Sequence, residues 1–314
     1  MIEQKLFKWI GGKKWLSDNL NAVFGEALAN KKIDTYIEPF AGGLGSFLYT
    51  LDTLKEGGIQ KAILNDVNSN IINLYSKIQK EDNLKPFFNL YWKLEKDYQS
   101  QVTKEARELH YIKDKDALKT ELLPAKVFFE GVRRDYNTLK GSDGLQRTVM
   151  FLFLMKHSFN GLYRENSKGD CNSPFNWKQG VFDKDKTFST FQTYNKVFNS
   201  FNISFENKDV FQLIDEHKAN KASSLFYFDP PYLNEGTTGE NKYDKDHFTR
   251  DHQVRLLEVY KNLDNVVFSN HDLELFKDFG KDEGFEYQEI LRNNVMNPKS
   301  TENTKISEIL AAKF

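Results

Sequence analysis

The sequence, 314 residues long, predicts an α/β protein: a doubly wound, mostly parallel Rossmann-like sheet with an inserted, mainly helical domain. Three observations predict it. The apolar run Leu225-Phe226-Tyr227-Phe228 empties into Asp229-Pro230-Pro231-Tyr232, as a buried parallel strand does where prolines force the chain out of the sheet. Thr35-Tyr36-Ile37-Glu38-Pro39-Phe40 leads into Ala41-Gly42-Gly43-Leu44-Gly45-Ser46-Phe47, a strand, a glycine turn and a helix start. Strand-like segments at 202–205, 225–228, 266–269, 285–291 and 306–314 alternate with helical stretches such as 251–262, the rhythm of βαβ units.

Taken in chain order, the glycine turn lets the backbone approach a ligand and offers amide groups to it. A second strand, Ala62-Ile63-Leu64, ends at Asn65-Asp66, where an acid can bind the two hydroxyls of a ribose. Gly43-Leu44-Gly45 lacks a third glycine at the dinucleotide spacing, which disfavours a nicotinamide enzyme and leaves a nucleoside-bearing cofactor. Residues 68–79 carry Ile71, Leu74, Tyr75 and Ile78 at helical spacing, with Asn68-Ser69 as the cap. From 81 to 145 the chain is charged and aromatic; Phe87, Phe88, Tyr91, Trp92 and Leu94 fall on one helix and read as core rather than as a base-stacking surface. Residues 148–155 are continuously apolar, a buried helix, and a polar, glycine-containing loop follows to Gly180. The chain therefore divides into a discontinuous catalytic domain, 1–80 with 181–314, and an inserted domain, 81–180.

Composition sets limits. A net charge of -1 and a pI near 6.6 give no global attraction to nucleic acid, so phosphate contacts must come from a local patch. One cysteine, Cys171, excludes an internal disulfide. There is no apolar run near the N-terminus suited to a signal peptide or membrane span, so a cytoplasmic protein is expected; a monomer is expected as well. The six histidines show no ligand spacing with cysteine or acid, and no metal is expected.

The tetrapeptide carries the chemistry. The Asp229 carboxylate and the Pro230 carbonyl form an acceptor pair for a planar ring bearing an amino group, and Tyr232 offers a stacking face. Near the N-terminus, Phe7-Lys8-Trp9-Ile10-Gly11-Gly12-Lys13 wraps aromatic and basic residues around a glycine pair.

With K-W-x-G-G-K, then E-P-F-x-G-G, then D-P-P-Y in this order, the chain closely resembles the Dam-type DNA adenine-N6 methyltransferases of the alpha arrangement, over nearly its whole length. The resemblance implies S-adenosylmethionine as cofactor, double-stranded DNA as partner, and a target-recognition role for 81–180. It implies cofactor binding by Trp9, Lys13, Glu38, Phe40, Gly42, Gly43, Asp66, Asp209 and Asp229, and catalysis by Asp229, Pro230, Pro231 and Tyr232. Within that set Asp66 suits the ribose, Gly42-Gly43 the backbone cradle, and Lys13 the methionine carboxylate. Asp209 suits the adenine amino group or, equally, a helix N-cap before Phe211.

His157-Ser158-Phe159-Asn160-Gly161-Leu162-Tyr163-Arg164 and Asn172-Ser173-Pro174-Phe175 resemble the family's DNA-reading hairpin. By that resemblance Arg164 reads a guanine, Phe159 intercalates, Asn160 and Leu162 contact DNA, and Pro174 touches a thymine methyl. Lys178, in Asn176-Trp177-Lys178, and Arg133-Arg134 are further phosphate candidates. The expected activity is methyl transfer to adenine N6 in duplex DNA with base flipping, at GATC-like sites. Cytosine-N4 or RNA adenine methylation, and a DNA-binding relative without turnover, remain the alternatives.

Overall fold

The computed structural model describes residues 6–9, 11–29, 31–106, 115–177, 183–232, 248–293 and 305–314. They fall into two units, Lys13–Val67 with Asn202–Phe314, and Met1–Gly12 with Asn68–Phe201. The breaks at 67/68 and 201/202 differ from the 80/81 and 180/181 of the sequence reading: the helices Ser69–Gln79 and Lys184–Ser200 pack with the helical insertion. Asn195 donates to the Ile78 and Gln79 carbonyls at 2.8 and 3.0 Å, which ties those two helices together.

The first unit is the α/β body. Its strands are β1 (Thr35–Glu38), β2 (Lys61–Asn65), β3 (Asn202–Glu206), β4 (Ser224–Phe228), β5 (Val266–His271), β6 (Glu286–Asn293) and β7 (Lys305–Lys313). They lie in the order β3-β2-β1-β4-β5-β7-β6. All pairs from β3 to β5 are parallel, and β7 runs antiparallel to both β5 and β6. Every residue of β4 is buried, as a strand covered on both faces requires.

Alternation assigns the two faces. Ile37, Ile63, Phe226, Phe228, Val266, Phe268, Ile309 and Ala311 enter one core with Phe211, Leu256, Tyr260 and Phe276, from the helices Val210–His217, Arg250–Asn262 and Glu274–Asp282. On the other face Phe24, from the helix Ser17–Ala29, packs its ring 5.7 Å from both Tyr36 and Tyr227. Helices thus cover both faces, the doubly wound arrangement. Strand order reverses between β1 and β4, so the crevice for a ligand opens at the carboxyl ends of these two strands.

Buried Asn65 closes that edge. Its amide nitrogen donates to the Pro39 and Lys208 carbonyls at 3.0 and 3.1 Å, and its oxygen accepts from the Lys208 amide at 2.9 Å. One side chain therefore ties the exits of β1, β2 and β3.

The second unit is helical. Phe87, Tyr91 and Tyr98, on the helix Glu81–Gln99, are fully buried, as are Phe151 and Phe153 on Leu145–His157 and Phe191 on Lys184–Ser200. Phe87, Phe88 and Tyr91 of the aromatic stripe are thus core, while Trp92 and Leu94 are half-buried at its edge; Phe88 and Phe188 lie 4.6 Å apart, and Tyr98 packs on Phe153 at 5.3 Å. At the root of the following loop, buried Glu95 pairs with buried His157 at 2.9 Å, and this contact holds the Glu95 carboxyl below its usual range against the upward push of burial.

Replacing Asn65 with alanine leaves two carbonyls and an amide buried without their partner. We expect a loss of about 2–4 kcal/mol in urea unfolding; a loss under about 0.5 kcal/mol, the scale of an ordinary surface substitution, would show that water replaces the clamp.

Candidate active site

The carboxyl ends of β1 and β4 repeat one pattern. Tyr36-Ile37-Glu38-Pro39 and Tyr227-Phe228-Asp229-Pro230 each place a tyrosine two residues before an acid, hence on the same side of the sheet, and follow the acid with a proline that ends pairing. Both tyrosines are fully buried. Burial raises both phenols well above their ordinary pKa, so each stays a hydrogen-bond donor.

On β1, the Tyr36 hydroxyl donates to Glu38 Oε2 at 2.9 Å, and Ser46 adds a second hydrogen bond. Glu38 is 1 % exposed. Burial, opposed by the Tyr36 bond and reinforced by the charge of Asp229, pushes its carboxyl up to about 8, so it holds a proton at neutral pH.

At the exit of β4, Asp229 is held at both oxygens. Oδ1 accepts from Ser269 Oγ at 3.0 Å, and Oδ2 pairs with the Lys13 ammonium at 2.8 Å. Lys13 is 5 % exposed and lies 4.8 Å from the Tyr232 ring centroid, a cation–π contact strengthened by exclusion of water. Gln253, 1 % exposed, donates to the Pro231 carbonyl at 2.7 Å and accepts from Asn270 at 3.2 Å. The His271 ring meets Tyr232 edge-on at 4.9 Å. The tetrapeptide is thus braced from β5 and from the helix Arg250–Asn262.

Between the β1 and β2 exits, Asp66 Oδ2 accepts from the Gly42 amide at 2.9 Å. This joins the glycine turn to the acid that follows β2, so the Gly42 amide is engaged within the chain. Gly42 and Leu44 both take positive φ, 45° and 58°. For Leu44 that conformation is strained, and the complete burial of its side chain offsets the strain. The helix that follows, Gly45–Tyr49, is a single short turn. Phe40 is half-buried, its ring 5.5 Å from Phe248. Asp209 caps the helix Val210–His217, accepting from the Phe211 and Gln212 amides at 2.9 and 3.3 Å; the capping half of its sequence reading is realised.

Lys13, Glu38, Phe40, Gly42, Gly43, Asp66, Asp209, Asp229, Pro230, Pro231 and Tyr232 all belong to the α/β unit. Trp9 belongs to the helical unit, 6.0 Å from Phe7. In that unit the hairpin is knit by the Ser158↔Phe175 and Glu165↔Cys171 bridges. Phe159, Asn160, Arg164 and Pro174 are exposed on it, and Leu162 is half-buried. Gly161 turns at φ 69°, and a Cβ there would meet the Lys8 side chain at 2.7 Å. Arg133 donates to the Ser173 carbonyl at 2.7 Å, so it braces the hairpin. Lys178 lies outside the described residues.

Among the described residues, Glu206, Glu216 and His217 approach metal-ligand spacing within 4.8 Å, and the Lys208 ammonium is ion-paired with both carboxylates. No helix among the described residues is long and apolar enough to cross a membrane.

Comparisons with known proteins cover nearly the whole chain. The family model of the D12 class N6 adenine-specific DNA methyltransferases matches residues 9–296. A Type II methyltransferase, M.MjaIII, from Methanocaldococcus jannaschii is 31% identical over 95% of this chain and 94% of its own length. The Lactococcus lactis Type II methyltransferase M1.LlaDCHI is 28% identical over 98% of this chain and 94% of its own length. The DNA adenine methylase of Escherichia coli K12 is 28% identical over 87% of this chain and 82% of its own length.

Glu38 sets a pH test. Its folded pKa near 8 exceeds the ordinary 4.5, so the folded state keeps a proton that the unfolded state has lost between those values. Stability falls as pH rises through that window. Glu38→Gln should flatten this slope in unfolding measured from pH 5 to 8.5; an unchanged slope would mean that Glu38 is ionised in the fold.

Proposed function

The chain belongs to the D12 class N6 adenine-specific DNA methyltransferase family and methylates adenine in DNA at N6; from that premise we propose how its own residues carry the reaction. The supporting observation is the Asp229 carboxylate, fixed at the carboxyl end of β4 beside the reversal of strand order, with Ser269 on one oxygen and Lys13 on the other.

We propose S-adenosylmethionine as the methyl donor. The donor set fits it: Asp66, tied to Gly42, suits ribose hydroxyls, Lys13 matches a carboxylate in charge, and Asp229 suits a cationic centre, with Glu38 beside it in the proposed set. Trp9, Phe40, Gly43 and Asp209 complete the proposed cofactor set. When bound, the cofactor supplies an electrophilic methyl group on a sulfonium.

The target adenine enters flipped out of the duplex, at a cost of a few kcal/mol. Tyr232 stacks on it. Asp229 and the Pro230 carbonyl accept hydrogen bonds from its amino group, which turns the nitrogen lone pair out of conjugation and towards the methyl group. The Pro231 ring keeps the backbone extended for that purpose. Acceleration comes from alignment and fixed charge.

The inserted helical unit reads the DNA in this account. Arg164 presents a planar fork to guanine O6 and N7, Phe159 inserts between bases, and Asn160, Leu162 and Pro174 contact neighbouring positions. Lys178 and Arg134 hold phosphates. A GATC-like site is the proposed target, and the protein acts as a monomer in the cytoplasm.

Labelled methyl transfer to duplex oligonucleotides tests the assignment. Asp229→Ala should lose turnover about a hundredfold or more and bind DNA normally; retained turnover would remove Asp229 from catalysis. Asp66→Ala should raise the cofactor Kd about tenfold without altering site choice. Arg164→Ala should cost about 1–3 kcal/mol of discrimination at one guanine, whereas equal weakening on every sequence would make Arg164 a phosphate contact.

A further inference from the structure

Asp229 has a partner that its motif does not contain. The β4–β5 register pairs Tyr227 with Val267 and Phe228 with Phe268, and one step further sets Ser269 directly across from Asp229 on the same side of the sheet. Ser269 is 1 % exposed. Its hydroxyl has one proton, and an ionised carboxylate can only accept, so the 3.0 Å contact to Asp229 Oδ1 uses that proton. The Tyr227 hydroxyl, 3.0 Å from Ser269 Oγ, must then be the donor in its own contact. The result is a directed chain, Tyr227 to Ser269 to Asp229, whose two donors are fully buried on adjacent strands.

Resting on the methyltransfer reading above, we propose that Ser269, oriented by Tyr227, is a positioning residue that fixes Asp229 Oδ1 and so presents Oδ2 to the target amino group. Three features of the site follow. A carboxylate turns about its Cβ–Cγ bond and can offer either oxygen; the Ser269 bond stops that rotation. Oδ2 is the oxygen engaged by Lys13, at 2.8 Å, and the same ammonium lies 4.8 Å from the centroid of the Tyr232 ring on which the base is proposed to stack. Both positioning groups are buried on the paired strands β4 and β5, so the bond is in place before substrate arrives.

Steady-state kinetics of the full chain decide it, with S-adenosylmethionine and duplex oligonucleotides carrying the methylated site. Ser269→Ala should lower kcat about tenfold to a hundredfold, with the cofactor Kd and the KM for DNA changed by less than about twofold. Ser269→Thr, which keeps the hydroxyl, should recover most of the rate. Tyr227→Phe should lower kcat by a smaller factor, about threefold. The proposal fails if Ser269→Ala keeps its kcat, if Kd and KM worsen in step with kcat, or if threonine is no better than alanine. Should Ser269→Ala no longer bind cofactor, Tyr227→Phe decides: a lowered kcat at unchanged Kd supports the chain, and an unchanged kcat overturns it. Wild-type protein that transfers no methyl group would sink the underlying reading instead, and the proposal with it.

Discussion

The Lys13–Asp229 pair at the carboxyl end of β4 is the interaction on which the site depends. Lys13 is 5 % exposed, and removing two charges from water costs more than their bare attraction returns unless further hydrogen bonds complete the pair. Here Ser269 completes it at Oδ1 and the Tyr232 ring covers the ammonium. Neither proline can contribute a ladder donor, so the tetrapeptide is instead held by Gln253 on the Pro231 carbonyl. Each brace comes from a different part of the chain: Lys13 ahead of the helix Ser17–Ala29, Ser269 on β5 and Gln253 on the helix Arg250–Asn262. A doubly wound sheet brings such distant segments together at the reversal of strand order.

The two acids at that reversal have different surroundings. Asp229 has an ammonium within contact; Glu38 has hydroxyl donors and full burial, and its carboxyl rises to about 8. Burial thus keeps Glu38 protonated at neutral pH, while Asp229 keeps Lys13 and Ser269 as partners at its two oxygens.

The strand exits were legible in the sequence because an apolar run that stops at an acid and a proline, as at Glu38-Pro39 and Asp229-Pro230, is the pattern a buried strand must show where it leaves its sheet. The position of Asp66 after the second strand was legible as well, and its contact to the Gly42 amide was not. Ser269 and Asn65 were not, because their roles depend on strand register and on carbonyls contributed from segments over a hundred residues apart, which no local pattern encodes. Tyr36 and Tyr227 did leave a signal, the twice-repeated tyrosine two residues before an acid, whose meaning requires knowing that the two strands are neighbours. The unit boundaries differ for a similar reason: the helix Ser69–Gln79 follows the second strand in sequence and reads as part of its domain, yet its hydrogen bonds run to Lys184–Ser200 in the helical unit. In the hairpin, the sequence presented Gly161 as one letter of a motif, and its close approach to Lys8 appears only in three dimensions.

The measurement that bears most directly on the central claim is modification-sensitive single-molecule sequencing of unmethylated genomic DNA after incubation with the protein and S-adenosylmethionine. The account predicts N6-methyladenine confined to one short motif, and its loss with Asp229→Ala. Methyl groups on cytosine, or none on DNA at all, would contradict it.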